Sequence, residues 1–383
     1  MKPEVSPPSR AQASTRWVFA VAGAVLAAWA PIVPLTKARL GLDDAGLGAL
    51  LLCVGLGALA TMPFTGALAA RLGFRRVILC ATCVGVLVFP ALALIQSTTL
   101  MALALLCFGA AMGMLDVGMN LLAATVERES GRPMMSGFHA RWSIGTIMGA
   151  GAVTGMLGLG LTPTVAATVV SVACLAVQMR AVRGLPDQAA VEKHPLFVMP
   201  RGSVFVIGFL CLVVYLVEHS VLDWSAVYLV SEAGAGVGMA GLGYTAFAAA
   251  MTLARLVGDP TRAALGDGRV LMFGGLMSAL GLSLVVLWPS VYVCVLGYAV
   301  LGAGAANIVP VLFSVAGRTR VMSPTLALTA VATFSHLGAL GGPALIGFVV
   351  QEAGLKVAFG MLAAGMLAVS MGRQVMRLDE EPV

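Results

Sequence analysis

In the run "GMLDVGMN", residues 113–120, a carboxylic acid and a carboxamide stand one helical turn apart among residues that otherwise suit lipid. Asp116 and Asn120 are i and i+4, so a helix presents both on one face, with Gly113 on that face to admit a neighbouring helix. An acid in that setting either holds its proton and serves as a hydrogen-bonding contact between helices, or exchanges it as water gains and loses access. Ser, Thr or Asn would make the contact without the cost of an acid, which favours exchange. Glu218 has the same claim, while its neighbour His219 projects about 100° away around the helix axis. His336 can switch its charge near neutral pH or stay neutral and hydrogen-bond a hydroxyl group. His139, one turn before Ser143, suits ligand contact, gating or helix pairing. Asn307 precedes Pro310, which lacks an N–H and so frees a carbonyl. Trp29 and Trp224 can either anchor at an interface or stack on the apolar face of a sugar-like ring. Asp223 lies near a span end, where water or a loop can satisfy it.

Other chemistries find no foothold. The chain carries no phosphate-binding glycine loop, H-E-x-x-H or nucleophile elbow, so neither an enzyme nor a cofactor is expected. Cys80 and Cys83 form a C-x-x-C, but all seven cysteines lie in apolar stretches without further ligands. Packing is their expected role, and no metal is implied.

The elements that must position these residues follow from composition. Hydrophobic residues make up 60% of the 383 and charged ones 10%, against about 25% charged in an average soluble domain. Mean hydropathy is +0.98. An α-helix needs roughly 20 mostly apolar residues to cross the hydrocarbon core. Twelve such stretches can be drawn: 17–37, 46–69, 76–95, 99–124, 134–158, 162–180, 203–230, 238–258, 270–288, 291–315, 324–350 and 355–372. Barrel strands of about 10 alternating residues do not describe such continuous runs. The first stretch reads as a retained helix, because the apolar pattern continues past Pro31 where a signal peptide would end. The expected fold class is all-α integral membrane.

Cytoplasmic loops keep an excess of Lys and Arg. With the N-terminus inside, eighteen of the 23 basic residues are cytoplasmic; Lys37, Arg39 and Lys356 fall outside, and Arg141 and Arg255 lie within spans, near ends where a long side chain can snorkel. Both termini are then cytoplasmic in a multi-pass inner-membrane protein. The bias also accounts for the net charge of +6, so no nucleic-acid partner is implied.

Shifting the chain on itself by 195 places Trp29 on Trp224 and "AGLG" 45–48 on "AGLG" 240–243. A shift of 193 places "LGFRRV" 72–77 on "LGDGRV" 265–270, Gly109 on Gly302, Gly145 on Gly338 and Gly149 on Gly342. The layout is therefore a disordered tail 1–15, a six-helix half 16–182, a linker 183–202 containing His194, a second six-helix half 203–373 and a tail 374–383. Six being even, the repeat is parallel. Spans 3, 6, 9 and 12 lack interior charge and are expected at the periphery. Asp116, Glu218, Asn307 and His336 fall near the middle of their spans, which marks them as the candidate site.

"GALAARLGFRRV", residues 66–77, resembles the signature loop of the major facilitator superfamily. Gly66, Leu68, Arg71, Gly73, Arg75 and Arg76 match it, whereas Ala70 stands where the family carries an aspartate. That resemblance implies two parallel six-helix halves, a midplane site between them, and a gating role for the loop. "GMLDVGMN", "SGFHARWSIG", "DWSAVYL" and "NIVPVLFS" are similar to a branch containing fucose-permease-like and rhizopine-type uptake proteins. This implies a monomer in the lipid bilayer that moves a small, hydroxylated or weakly charged solute together with protons. Asp116 and Glu218 would couple the protons, and Trp29, Asn120, His139, Trp224, Asn307 and His336 would contact the solute. The fifth span, "SIGTIMGAGAVTG", lacks the proline typical of efflux antiporters. A proton-driven efflux antiporter and a non-transporting sensor on the same fold are the alternatives.

Overall fold

The computed structural model describes residues 10–42, 44–186, 199–235, 239 and 242–372. Most of the expected tails, and the centre of the expected linker with His194, lie outside the described residues. Among the described residues the chain is helical, in the order α1 (Arg10–Ala28), α2 (Val33–Leu40), α3 (Asp44–Leu72), α4 (Phe74–Leu92), α5 (Thr98–Ser130), α6 (Met135–Gly158), α7 (Pro163–Ala181), α8 (Gly202–Ser231), α9 (Leu242–Leu256), α10 (Gly258–Leu265), α11 (Asp267–Leu287), α12 (Val291–Ala305), α13 (Ile308–Ala316), α14 (Pro324–Ala353) and α15 (Leu355–Met371). These helices supply twelve membrane spans in two sets of six, because three spans are built from two helices each: α1 with α2, α9 with α10, and α12 with α13. Among the described residues nine spans are long and apolar enough to cross a membrane on that ground alone. At 17 residues, α15 falls short by length.

Two compact units are present, Met1–Ser130 with Arg141–Val198, and Gly131–Ala140 with Met199–Val383. In unit 1, α3 packs on α5, and α4 on both α5 and α7. Unit 2 repeats the scheme with α9 on α12, and α11 on both α12 and α15, while α8 packs along α14. The repeated glycines explain why the pattern survives in the sequence. A Cβ on Gly109 would fall on the backbone of Val54, and one on Gly302 on that of Phe247, the same 193-residue offset on both sides of the contact. Gly145 and Gly149 meet Ala20 and Ala24 in the same way, as Gly338 and Gly342 meet Leu212 and Leu216. Helices in lipid gain little from burying apolar surface against each other, so close backbone approach through small residues has to carry their packing.

The signature segment is less of a loop than expected. Helix α3 runs through Gly66 and Arg71 to Leu72, and α4 starts at Phe74, so the connection narrows to Gly73. Gly73 has φ 83° and its repeat partner Gly266 has φ 79°, left-handed values that favour glycine and allow so short a turn. Arg75 donates through Nε to the Leu185 carbonyl at 3.0 Å and through Nη2 to the Arg183 carbonyl at 2.9 Å, holding α4 to the chain beyond α7. Arg71 and Arg76 are exposed.

Two of the basic residues expected outside have structural duties. Arg39 donates to the Leu92, Ala93 and Ile95 carbonyls at 2.7, 2.6 and 3.1 Å, satisfying the end of α4 that has no intrahelical donors left. Lys356 pairs with Glu232 at 3.4 Å.

Candidate functional site

The acid of unit 1 is held by its own helix. Asn120 donates through Nδ2 to the Asp116 backbone carbonyl at 2.9 Å and to the Asp116 carboxylate Oδ1 at 3.3 Å. That is the i to i+4 relation read from the sequence. Its consequence is that the Asn120 amide nitrogen is spent on positioning the acid. Asp116 Oδ2 and Asn120 Oδ1 are buried and have no hydrogen-bond partner among the described residues. On the shared face, a Cβ at Gly113 would lie 2.6 Å from Ala58 Cα, so α3 and α5 cross in close contact beside the acid. Trp29 lies at the break after α1, is 6% exposed, and its indole Nε1 has no partner among the described residues. Burial at that level excludes an interfacial anchor for the ring.

In unit 2 the sequence-predicted residues fall into three groups, with Arg255 shared between two of them. Glu218 interacts electrostatically with Arg255, and the Tyr244 hydroxyl feels both groups. Glu218 Oε1 is buried without a hydrogen-bond partner among the described residues. His219, one position on, belongs to a different set. Its ring stacks on Tyr215 at 5.8 Å, and the Tyr215 ring in turn lies 6.2 Å from that of His336 on α14. Trp224 packs toward α14, with its ring 3.3 Å from where a Cβ on Gly347 would sit. Asp223 is exposed.

The third group surrounds a break in the tenth span. Pro310 cannot donate to the Ala306 carbonyl four residues earlier, and the chain departs from helix at Asn307, with φ −110° and ψ 0°. Arg255 supplies the missing donor, its Nε lying 3.1 Å from the Ala306 carbonyl. This corrects the expectation of a snorkelling arginine: Arg255 is 6% exposed, because an unsatisfied carbonyl inside the protein outcompetes the water it would have to reach. Asn307 donates to the Ala254 carbonyl at 3.2 Å, so α9 and the broken span are tied by two bonds in opposite directions along the sequence. His139 lies against Phe313 with ring centroids 6.2 Å apart and feels the Arg255 charge. Arg141, by contrast, is exposed.

Several residues at this end of unit 2 carry no signal in single-residue reasoning. Asp259 accepts hydrogen bonds from the backbone N–H groups of Ser136 and Gly137 at 2.9 and 2.8 Å, capping the start of α6 from a different element. Asp267 bridges Arg262, at 2.9 Å, and Arg318. The signal for Asp267 was present in the repeat: "LGDGRV" is the counterpart of "LGFRRV" and carries an acid where Phe74 stands. Among the described residues no group of three or more His, Cys, Asp or Glu side chains could hold a metal ion.

No family model matches the chain. It is 48% identical over 372 residues to an uncharacterised MFS-type transporter of Yersinia pestis, with 96% of each chain covered. It is 30% identical over 358 residues to the membrane protein MosC of Rhizobium meliloti, covering 91% of this chain and 86% of that one. Among solved structures, the Escherichia coli fucose:proton symporter superposes with a TM-score of 0.77 at 15% identity, over 96% of this chain and 97% of that one. The proton:xylose symporter XylE gives 0.77 at 11% identity, over 94% of each chain.

Proposed function

The chain belongs to the major facilitator superfamily and is a multi-pass membrane transporter, and from that premise we propose that it moves a small hydroxylated or weakly charged solute by alternating access in symport with protons. The observation that carries the proposal is the pair of mid-span acids, Asp116 and Glu218, each with a buried carboxyl oxygen that has no hydrogen-bond partner among the described residues. Burying a carboxyl group in this state is costly unless it is neutralised. A proton taken up there removes the charge, and its release when the site opens to water restores it. Two titratable acids at such positions can therefore link solvent access to proton binding. The fucose and xylose symporters with which the fold superposes are both named as proton symporters, which supports the same choice of coupling ion.

In this reading Trp29, Trp224, His139, Asn307 and His336 meet the solute, and Asn120 orients Asp116. The α3–α4 connection, with Gly66, Arg71, Gly73, Arg75 and Arg76, acts as the gate. The working protein is a monomer in the inner membrane with both termini in the cytoplasm. Reconstitution into proteoliposomes with an imposed pH gradient tests the coupling. D116N and E218Q should each abolish gradient-driven accumulation while leaving solute exchange at equal concentrations on both sides. Accumulation at the wild-type level in both variants would remove the coupling role from these acids.

A further inference from the structure

His219 and His336 share a feature that limits what they can bind. The Nδ1 of His219 lies 2.9 Å from the Tyr215 carbonyl oxygen, and the Nδ1 of His336 lies 3.2 Å from the Ala332 carbonyl oxygen. A carbonyl can only accept, so each Nδ1 carries a proton. In a neutral imidazole the other ring nitrogen is then a lone-pair acceptor. The two imidazoles interact electrostatically and both lie against the Tyr215 ring. Two imidazolium charges so placed within membrane spans would repel each other at short range in a weakly screening medium. With both rings neutral, the pair offers two Nε2 acceptors, one from α8 and one from α14, on side chains that are both partly exposed.

Glu218, on the same turn of α8 as His219, accepts when ionised, donates when it holds its proton, and is never a cation. The guanidinium that interacts with Glu218, that of Arg255, directs its Nε to the Ala306 carbonyl. The Tyr215 ring adds an apolar surface between the two histidines.

We propose that His219, His336 and Tyr215 form a solute-recognition patch in unit 2 that selects neutral or cationic compounds rich in O–H and N–H donors, and turns away the corresponding acids. The proposal rests on the transporter reading only in taking α8 and α14 as solute-facing helices, and it requires no proton coupling. A ligand hydroxyl or ammonium hydrogen satisfies each Nε2, whereas a carboxylate can only accept and leaves both lone pairs unmet.

Calorimetric titration of the purified full-length protein in detergent, with sorbitol and glucosamine against gluconate and glucuronate, separates the classes. The expected result is saturable binding of sorbitol or glucosamine and none of the two acids. H219F and H336F should each weaken that binding about tenfold, the effect of losing one hydrogen bond of ordinary net strength. H219Q and H336Q keep an acceptor at the end of the side chain and should bind within about threefold of wild type, a rescue that a purely structural role would not produce. Binding of the acids at or above the level of the alcohols, no binding of either donor-rich probe, or wild-type binding by monodisperse Phe variants would each overturn the proposal. Donor-selective, histidine-dependent binding combined with proton-independent flux would uphold it while removing the coupling assigned to Asp116 and Glu218.

Discussion

Replacing Arg255 by methionine tests whether the break in the tenth span is held by a side chain from the eighth. Methionine approximates the length of the aliphatic stem but cannot donate to the Ala306 carbonyl, which lies 3.1 Å from Arg255 Nε. Ala306 is fully buried and Pro310 has no N–H, so the orphaned oxygen finds no other backbone donor in its own helix. A hydrogen bond from a charged group contributes about 1.5–3 kcal/mol, and the expected cost of R255M is of that order. P310A provides the control, because an alanine N–H at position 310 can make the i to i−4 bond to Ala306. In that background R255M should cost about 1 kcal/mol less, the ordinary net value of the bond restored. The lost interaction with Glu218 is common to both backgrounds and cancels in the double-mutant cycle. Equilibrium unfolding in mixed detergent and SDS micelles measures all four proteins. Contacting residues couple by 0.5 kcal/mol or more, so additivity within about 0.5 kcal/mol would refute the assignment of Arg255 to the freed carbonyl.

Two further outcomes follow from the capping contacts. R39A should destabilise the protein by about 1–2 kcal/mol, since three carbonyls at the end of α4 lose a charged donor at a partly solvated site. R39K should recover only part of this loss, because an ammonium group cannot reproduce the planar fork; wild-type stability of R39A in the same unfolding assay would contradict the cap. D259A should free the amides of Ser136 and Gly137 at the cost of about 1 kcal/mol typical of a lost N-cap. Amide hydrogen exchange at those two positions should accelerate about fivefold to tenfold, and unchanged exchange would show that the cap does not hold α6.

The sequence by itself determined the medium, the number of spans and the two-fold organisation. Those properties are local or periodic: a run of apolar residues has one low-energy solvent, and the registered glycines at 109 and 302, or 145 and 338, persist because each marks a backbone crossing that no Cβ would fit. It also located Asp116, Glu218, Asn307 and His336, because a polar group in an apolar span is conspicuous wherever it points. Even the freed carbonyl at Ala306 was legible, since the covalent structure of proline dictates it. The donor that meets this carbonyl was not legible. Arg255 reads equally well as a snorkelling side chain, and only the packing of α9 on α12 brings it within 3.1 Å. The division of labour between Glu218 and His219 was likewise decided by packing: one turns toward Arg255, the other toward Tyr215 and His336. The grouping of residues 131–140 with unit 2, through Asp259 at the start of α6, has the same origin. Period and hydropathy fix which residues lie on a helix and how deep, but a helix can rotate about its axis without changing either. Its rotation, and hence its partners, is settled only when neighbouring helices close against it.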